Sequence, residues 1–216
     1  MKGTSLIAAS AVAAGLASAG HAAVFTGVAS LRSAATGSAP VGETVVLTGP
    51  SDTGFGSWFG NSTLNQSGLY AFASQGSELT STSISAVGET FASSSATSRR
   101  VGANSQVNFI FTLDEAAVVT VFAQAGGNFG SSTTMRVYLG TDTEAIIDTT
   151  SSFVNFSDFN LAAGTYILSA EIQTVLNGTV GSSNGYYNLS VSVPGPGGAA
   201  LLGLAGLVGG GRRRAR

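Results

Sequence analysis

Between residues 107 and 193 apolar positions recur at every second residue. Val107, Phe109, Phe111 and Leu113 are spaced by Asn108, Ile110 and Thr112, and Met135, Val137 and Leu139 by Arg136 and Tyr138. Tyr166, Leu168, Ala170 and Ile172 are spaced by Ile167, Ser169 and Glu171, and Leu189, Val191 and Val193 by Ser190 and Ser192. A period of two sends one set of side chains into a core and the other to solvent, so each run predicts a β-strand. Val118–Phe122 and Val45–Leu47 are apolar on both faces and predict more deeply buried strands. Gly126-Gly127-Asn128, Gly140-Thr141-Asp142, Ala162-Ala163-Gly164 and the cluster from Gly181 to Gly185 separate the runs as turn signals, because glycine and asparagine reach positive φ at low cost.

From Glu78 to Ser98 serine and threonine dominate, broken by Ile84, Val87 and Phe91. That composition predicts a polar strand over Ser77–Ser85 and a loop over Ala92–Ser98. No helical period is sustained between the two ends. Many short strands with closely spaced turns predict an all-β fold, a two-sheet antiparallel sandwich of the jelly-roll kind.

The ends have a different grammar. Lys2 precedes an alanine-rich apolar run from Leu6 to Leu16, followed by small residues up to Ala22. This is the order of a secretory signal peptide, and it predicts a signal helix over 1–22 with cleavage after Ala19 or Ala22, the latter favoured. The apolar run is shorter than the roughly 20 residues a membrane span needs. The domain then covers 23–193, a size that supports one core without disulfide staples.

Within 23–193 eleven acidic residues face four basic ones, Arg32, Arg99, Arg100 and Arg136. Such a surface repels phosphate backbones and excludes a nucleic-acid partner. The single histidine is His21, the single lysine is Lys2, and cysteine is absent. With those residues outside the domain, Ser-His-Asp and Cys-His nucleophiles, histidine-ligated zinc, Schiff-base lysine and the phosphate-binding lysine loop are excluded. The composition points to a protein that is not an enzyme and needs no cofactor.

The last two dozen residues have three parts. Pro194-Gly195-Pro196 ends the last strand, an apolar run from Gly197 to Gly211 predicts a short hydrophobic helix, and Arg212, Arg213, Arg214 and Arg216 close the chain. An apolar segment backed by arginines inserts transiently with its charges on the cytoplasmic side; a retained membrane anchor has the same pattern. This tripartite tail over 194–216 resembles the PEP-CTERM sorting signal, with Pro-Gly-Pro in place of the usual Pro-Glu-Pro. The resemblance implies processing by an exosortase after signal peptidase, delivery to the bacterial cell surface or extracellular matrix, and association with exopolysaccharide. Leu161-Ala162-Ala163-Gly164-Thr165-Tyr166 resembles the turn-into-strand motif of many jelly rolls, including carbohydrate-binding modules and pre-peptidase C-terminal domains.

Two aromatic groups are the candidate ligand contacts. Trp58 and Phe59 lie in the glycine-flanked stretch Gly54–Asn61, and Asn184, Tyr186 and Tyr187 form a second set. Aromatic faces suit sugar rings, offering apolar area beside hydrogen-bonding groups. The favoured reading of the same residues is nonetheless structural, with Trp58 and Phe59 plugging the open end of the sandwich and the second set packing at a strand start. Asp142, Glu144 and Asp148 cluster around a turn and are oxygen ligands of the type calcium takes, though their spacing matches no recognised calcium loop. A glycoside hydrolase needs two carboxylates about 5–10 Å apart across a cleft, and the pattern nominates no such pair. The expectation is a structural or adhesive surface protein, with a carbohydrate-binding module using Trp58 and the tyrosines as the alternative.

Overall fold

The computed structural model describes residues 24–128 and 133–193, with backbone alone for 27–30. The signal helix over 1–22, the hydrophobic tail helix and the Pro194-Gly195-Pro196 and arginine motifs lie outside the described residues. Twelve strands account for most of the rest: β1 (Phe25–Pro40), β2 (Ser51–Asp52), β3 (Trp58–Gln66), β4 (Leu69–Leu79), β5 (Ser83–Ser94), β6 (Arg99–Leu113), β7 (Ala117–Gly127), β8 (Thr133–Gly140), β9 (Ala145–Thr149), β10 (Phe153–Leu161), β11 (Gly164–Asn177) and β12 (Gly181–Ser192). Among the described residues there is no helix.

The strands form two six-stranded antiparallel sheets, ordered β2-β1-β6-β11-β8-β9 (sheet A) and β10-β7-β12-β5-β4-β3 (sheet B). β8 and β9 close a hairpin, and β7 pairs with β10, β6 with β11 and β5 with β12. Eight strands are thus one long nested hairpin rolled across two sheets, which is the jelly-roll topology. β1 and β2 extend sheet A beyond β6, and β3 and β4 extend sheet B beyond β5.

The alternation at 107–113, 135–139, 166–172 and 189–193 falls in β6, β8, β11 and at the end of β12, with the apolar set inward. Phe111 links Phe25 (ring centroids 4.9 Å apart, edge-on) to Tyr166 (5.7 Å, stacked), and the Tyr166 hydroxyl donates to Ala162 O at 2.9 Å, closing the turn that precedes β11. Each fully buried large apolar side chain in this core contributes about 1.5–3 kcal/mol by leaving water.

Three expectations are corrected. Val45–Leu47 is not a strand: it lies beside β1, tied by a single bridge between Thr36 and Thr48, and Val46 is exposed. The polar stretch Ser77–Ser85 spans a hairpin turn, and β5 continues to Ser94, inside the segment expected to be loop. The Gly181–Gly185 cluster begins β12: Gly181, with φ of 142°, leaves the turn, whereas Gly185 serves packing, facing Ile172 so closely that a Cβ would lie 2.2 Å from its Cδ1.

The interior has two apolar parts. A large cluster gathers around Phe109, Phe111, Leu168 and Leu189, and a smaller, alanine-rich one around Ala71, Ala92, Ala103 and Leu176. Between them a belt of polar residues crosses β4, β5, β6, β11 and β12: Gln75, Thr90, Ser105, Thr174 and Ser183, all buried. Thr174 shares hydrogen bonds with Thr90 (2.8 Å) and Thr133 (3.1 Å), and Thr133 with Ser183 (2.7 Å). Hydroxyls in series satisfy one another, which removes most of the cost of burying them.

Candidate functional site

The strand alternation places Arg32 of β1 on the inner face of sheet A, 1% exposed. The chain between β2 and β3 wraps its guanidinium. Nη1 donates to Gly56 O at 2.8 Å, and Nη2 donates to Gly54 O at 2.6 Å and to the Asp52 carboxylate. The Asp52 carboxyl is held below its ordinary pKa, first by the Gly54 N–H (2.9 Å) and also by Arg32, against an opposing effect of burial. A buried cation is stable only when hydrogen-bonded on several sides, and here the loop supplies those acceptors.

Trp58 completes this cage. Its ring lies 5.8 Å from the Arg32 guanidinium carbon and so close over Gly60 that a Cβ there would be 2.5 Å from the indole. The half-buried indole therefore packs inward against a cation and a backbone, as a plug, and not outward as a sugar platform. Its neighbour Phe59 has the opposite orientation, by strand alternation, and is 68% exposed.

The second set divides the same way. Tyr187 is 1% exposed, with its hydroxyl 3.3 Å from Ser105 Oγ, and burial pushes its phenol pKa well above the usual value. It belongs to the polar belt of the core and is out of reach of a ligand. Tyr186 faces outward, its ring lying over Gly126, where a Cβ would be 2.5 Å from the hydroxyl. Asn184 is half-buried on the same outer face, and its backbone O accepts from Asn128 N at 3.0 Å. Phe59 and Tyr186 thus share the outer face of sheet B, three strand spacings (about 14 Å) apart across the sheet and two residues out of level along it.

Between them the register assembles more. Phe72 of β4 opposes Phe91 of β5, and the Tyr70 and Phe91 rings are 5.9 Å apart. Asn61, Asn65 and Asn188 are exposed around these rings, and Glu89, beside Tyr186, accepts from Ser74 Oγ at 3.2 Å. At the β3–β4 end Asn65, Gln66, Tyr70, Ser93 and Ser95 line a shallow groove of about 380 Å³ with no charged side chain. Gly68 makes the tight turn at its rim with φ of 73°, and a Cβ there would be 2.5 Å from Ser95 Oγ. No protein-family model matches this chain, and no curated protein matches it. The arrangement can therefore be read only from its own chemistry: flat apolar rings edged by amides and hydroxyls.

Sequence reasoning did not single out Tyr70, Phe72 or Phe91. The signal was present in β4, where Leu69, Ala71 and Ala73 alternate with Tyr70, Phe72 and Ser74, but small alanines on the inner side obscure which face is buried. Arg32 figures in the sequence only as one of four basic residues, since a lone arginine in a strand does not declare which way it points.

The calcium candidates do not converge. Arg136 grips Asp148 with Nε (3.0 Å) and Nη2 (3.1 Å), which lowers the Asp148 pKa and raises that of Arg136. Asp142 and Glu144 are exposed, and the backbone N–H of Glu144 donates to Thr141 Oγ1 at 3.0 Å. Among the described residues no three acidic, histidine or cysteine side chains group to hold a metal ion.

Proposed function

We propose that this chain is an exported, non-enzymatic surface or matrix protein that associates with uncharged exopolysaccharide through the outer face of sheet B. The observation that carries the reading is the array of Tyr70, Phe72, Phe91, Tyr186 and Phe59 interleaved with amides and hydroxyls on one face of sheet B. Aromatic faces pack on the C–H surface of a pyranose while amides and hydroxyls meet its ring of hydroxyl groups. The acidic excess of the domain and the position of Glu89 disfavour uronate or sulfated polymers by like-charge repulsion. Support for export comes from the signal-peptide pattern at 1–22 and the PEP-CTERM-like tail at 194–216, and support for a non-catalytic role from the lack of histidine, lysine and cysteine in 23–193.

Affinity electrophoresis of the full chain through gels containing neutral and acidic polysaccharides tests it. Retardation is expected in a neutral polymer, weakened at least about fivefold, or roughly 1 kcal/mol, by Tyr70→Ala with Tyr186→Ala. Unchanged retardation in that variant, or release of reducing sugar from any of the polymers, refutes the reading. Trp58→Ala separates it from a module built on Trp58: binding persists if the outer face is the site and is lost, with the fold intact, if the tryptophan is.

A further inference from the structure

Four strands end the two sheets, and they are not equally protected. An edge strand leaves a row of backbone N–H and C=O groups unpaired, a template for another chain unless shortness, lysine, proline or a bulge blunts it. β2 has two residues. β9 has five, with a break in register at Leu139/Gly140 and the Arg136–Asp148 pair across it. β3 has nine, but beyond Phe59 its outward positions are Asn61, Thr63 and Asn65, so pairing there gathers no apolar contact.

β10 lacks every one of these defences. Its register with β7 runs unbroken from Phe153↔Ala125 to Leu161↔Ala117, and it holds no proline, lysine or arginine. Its outward Val154 and Phe156 are 68% and 72% exposed. Its one charge, Asp158, is engaged by Thr120 Oγ1 at 2.7 Å on the β7 side.

We infer that β10 is a self-pairing edge, at which a second copy of this chain adds its own β10 antiparallel across a two-fold axis at Phe156. In that register Phe156 meets its counterpart, Phe153 meets Phe159, Val154 meets Asp158 and Asn155 meets Ser157, over the seven residues 153–159. An axis at Ser157 pairs all nine residues but brings the two Asp158 carboxylates to diagonal positions about 7–8 Å apart. The Phe156 axis separates them by four residues along the strand, about 13 Å, beyond the roughly 8 Å screening length of physiological salt. An axis at Asn155 leaves only five residues paired. Closed two-fold pairing is also the commonest symmetry of homo-oligomers.

The chain has no cysteine, so a single introduced thiol reports one contact. At the axis the two Phe156 positions face each other at the Cα separation a disulfide requires. The full-length Phe156→Cys chain, at micromolar concentration in mild detergent and a gentle oxidant, is expected to form a covalent dimer about a hundredfold faster than Thr63→Cys on β3, because pairing raises the local thiol concentration towards millimolar. Adding Val154→Asp to Phe156→Cys sets a carboxylate directly opposite Asp158 of the second copy and should slow the reaction at least about fivefold. Equal rates for the two single cysteines, or a Phe156→Cys rate indifferent to Val154→Asp, overturn the inference; a dimer held by the termini alone, or an edge taken by a different protein, gives the first of these results.

Discussion

Replacing Arg32 with alanine tests whether the buried guanidinium pins the β2–β3 loop to the sandwich. The side chain is 1% exposed and donates to two backbone oxygens, Gly54 O at 2.6 Å and Gly56 O at 2.8 Å. Two hydrogen bonds from a charged donor, taken at the low end of about 1.5 kcal/mol each, give about 3 kcal/mol. The methylene stem adds about 2 kcal/mol of burial. Release of a cation held away from water returns a similar amount. The Asp52 pair is left out of the sum because that carboxylate is a third exposed and rehydrates when its partner goes. The net expectation is a loss of about 3 kcal/mol, which for a domain of this size lowers Tm by about 6–12 °C. The assay is urea and thermal unfolding followed by circular dichroism, with Trp58 emission as a second probe. Trp58 is the only tryptophan and it caps the guanidinium, so its emission reports the loop directly. Arg32→Ala should shift that emission to the red in the folded state. A loss below about 1 kcal/mol with emission unchanged would refute the role assigned to Arg32.

Three further outcomes follow from the core. Below pH 10 the Tyr187 phenol is protonated in both folded and unfolded chains. Above it the unfolded chain releases a proton that the folded chain keeps, so stability falls by about 1.4 kcal/mol per pH unit, and Tyr187→Phe should remove that slope from urea titrations between pH 10 and 11.5. Gly88→Ala should cost about 3 kcal/mol by thermal melting, since its Cβ would lie 2.3 Å from both Ser105 Oγ and the Tyr187 ring. Thr174→Val keeps the volume but deletes the hydroxyl that links Thr90 to Thr133. It should cost about 1–2 kcal/mol in urea unfolding, because Thr90 loses its partner while Thr133 retains Ser183.

The sandwich was legible wherever large side chains alternate with polar ones. Phe109 and Phe111 against Asn108, and Leu168 and Ile172 against Ser169, announce β6 and β11 without ambiguity. Sequence patterning fell short where the inward positions carry small or hydroxylated residues. In β5 the buried set is Ile84, Ala86, Gly88, Thr90, Ala92 and Ser94, whose contrast with the outward serines is too slight to read as a strand, although each faces a packed interior. β1, with Ala34 and Thr36 inward, is hidden for the same reason. The candidate contacts show a second limit. Trp58 and Phe59 are adjacent, as are Tyr186 and Tyr187, and a strand turns adjacent residues to opposite faces, so Phe59 and Tyr186 face outward while Trp58 and Tyr187 pack inward. Composition names the aromatics; register decides which of them meet solvent.

The order of strands in sheet B also bears on how the molecule is made. β12, the last strand to be synthesised, lies in the interior of that sheet, bonded to β7 on one flank and β5 on the other. Until residues 181–192 arrive, β10–β7 and β5–β4–β3 are separate pieces with no backbone bond between them. The domain cannot ripen gradually from its N-terminus, and a ribosome or translocation pore that releases it N-terminus first holds an open, sticky intermediate until the final dozen residues snap the halves together.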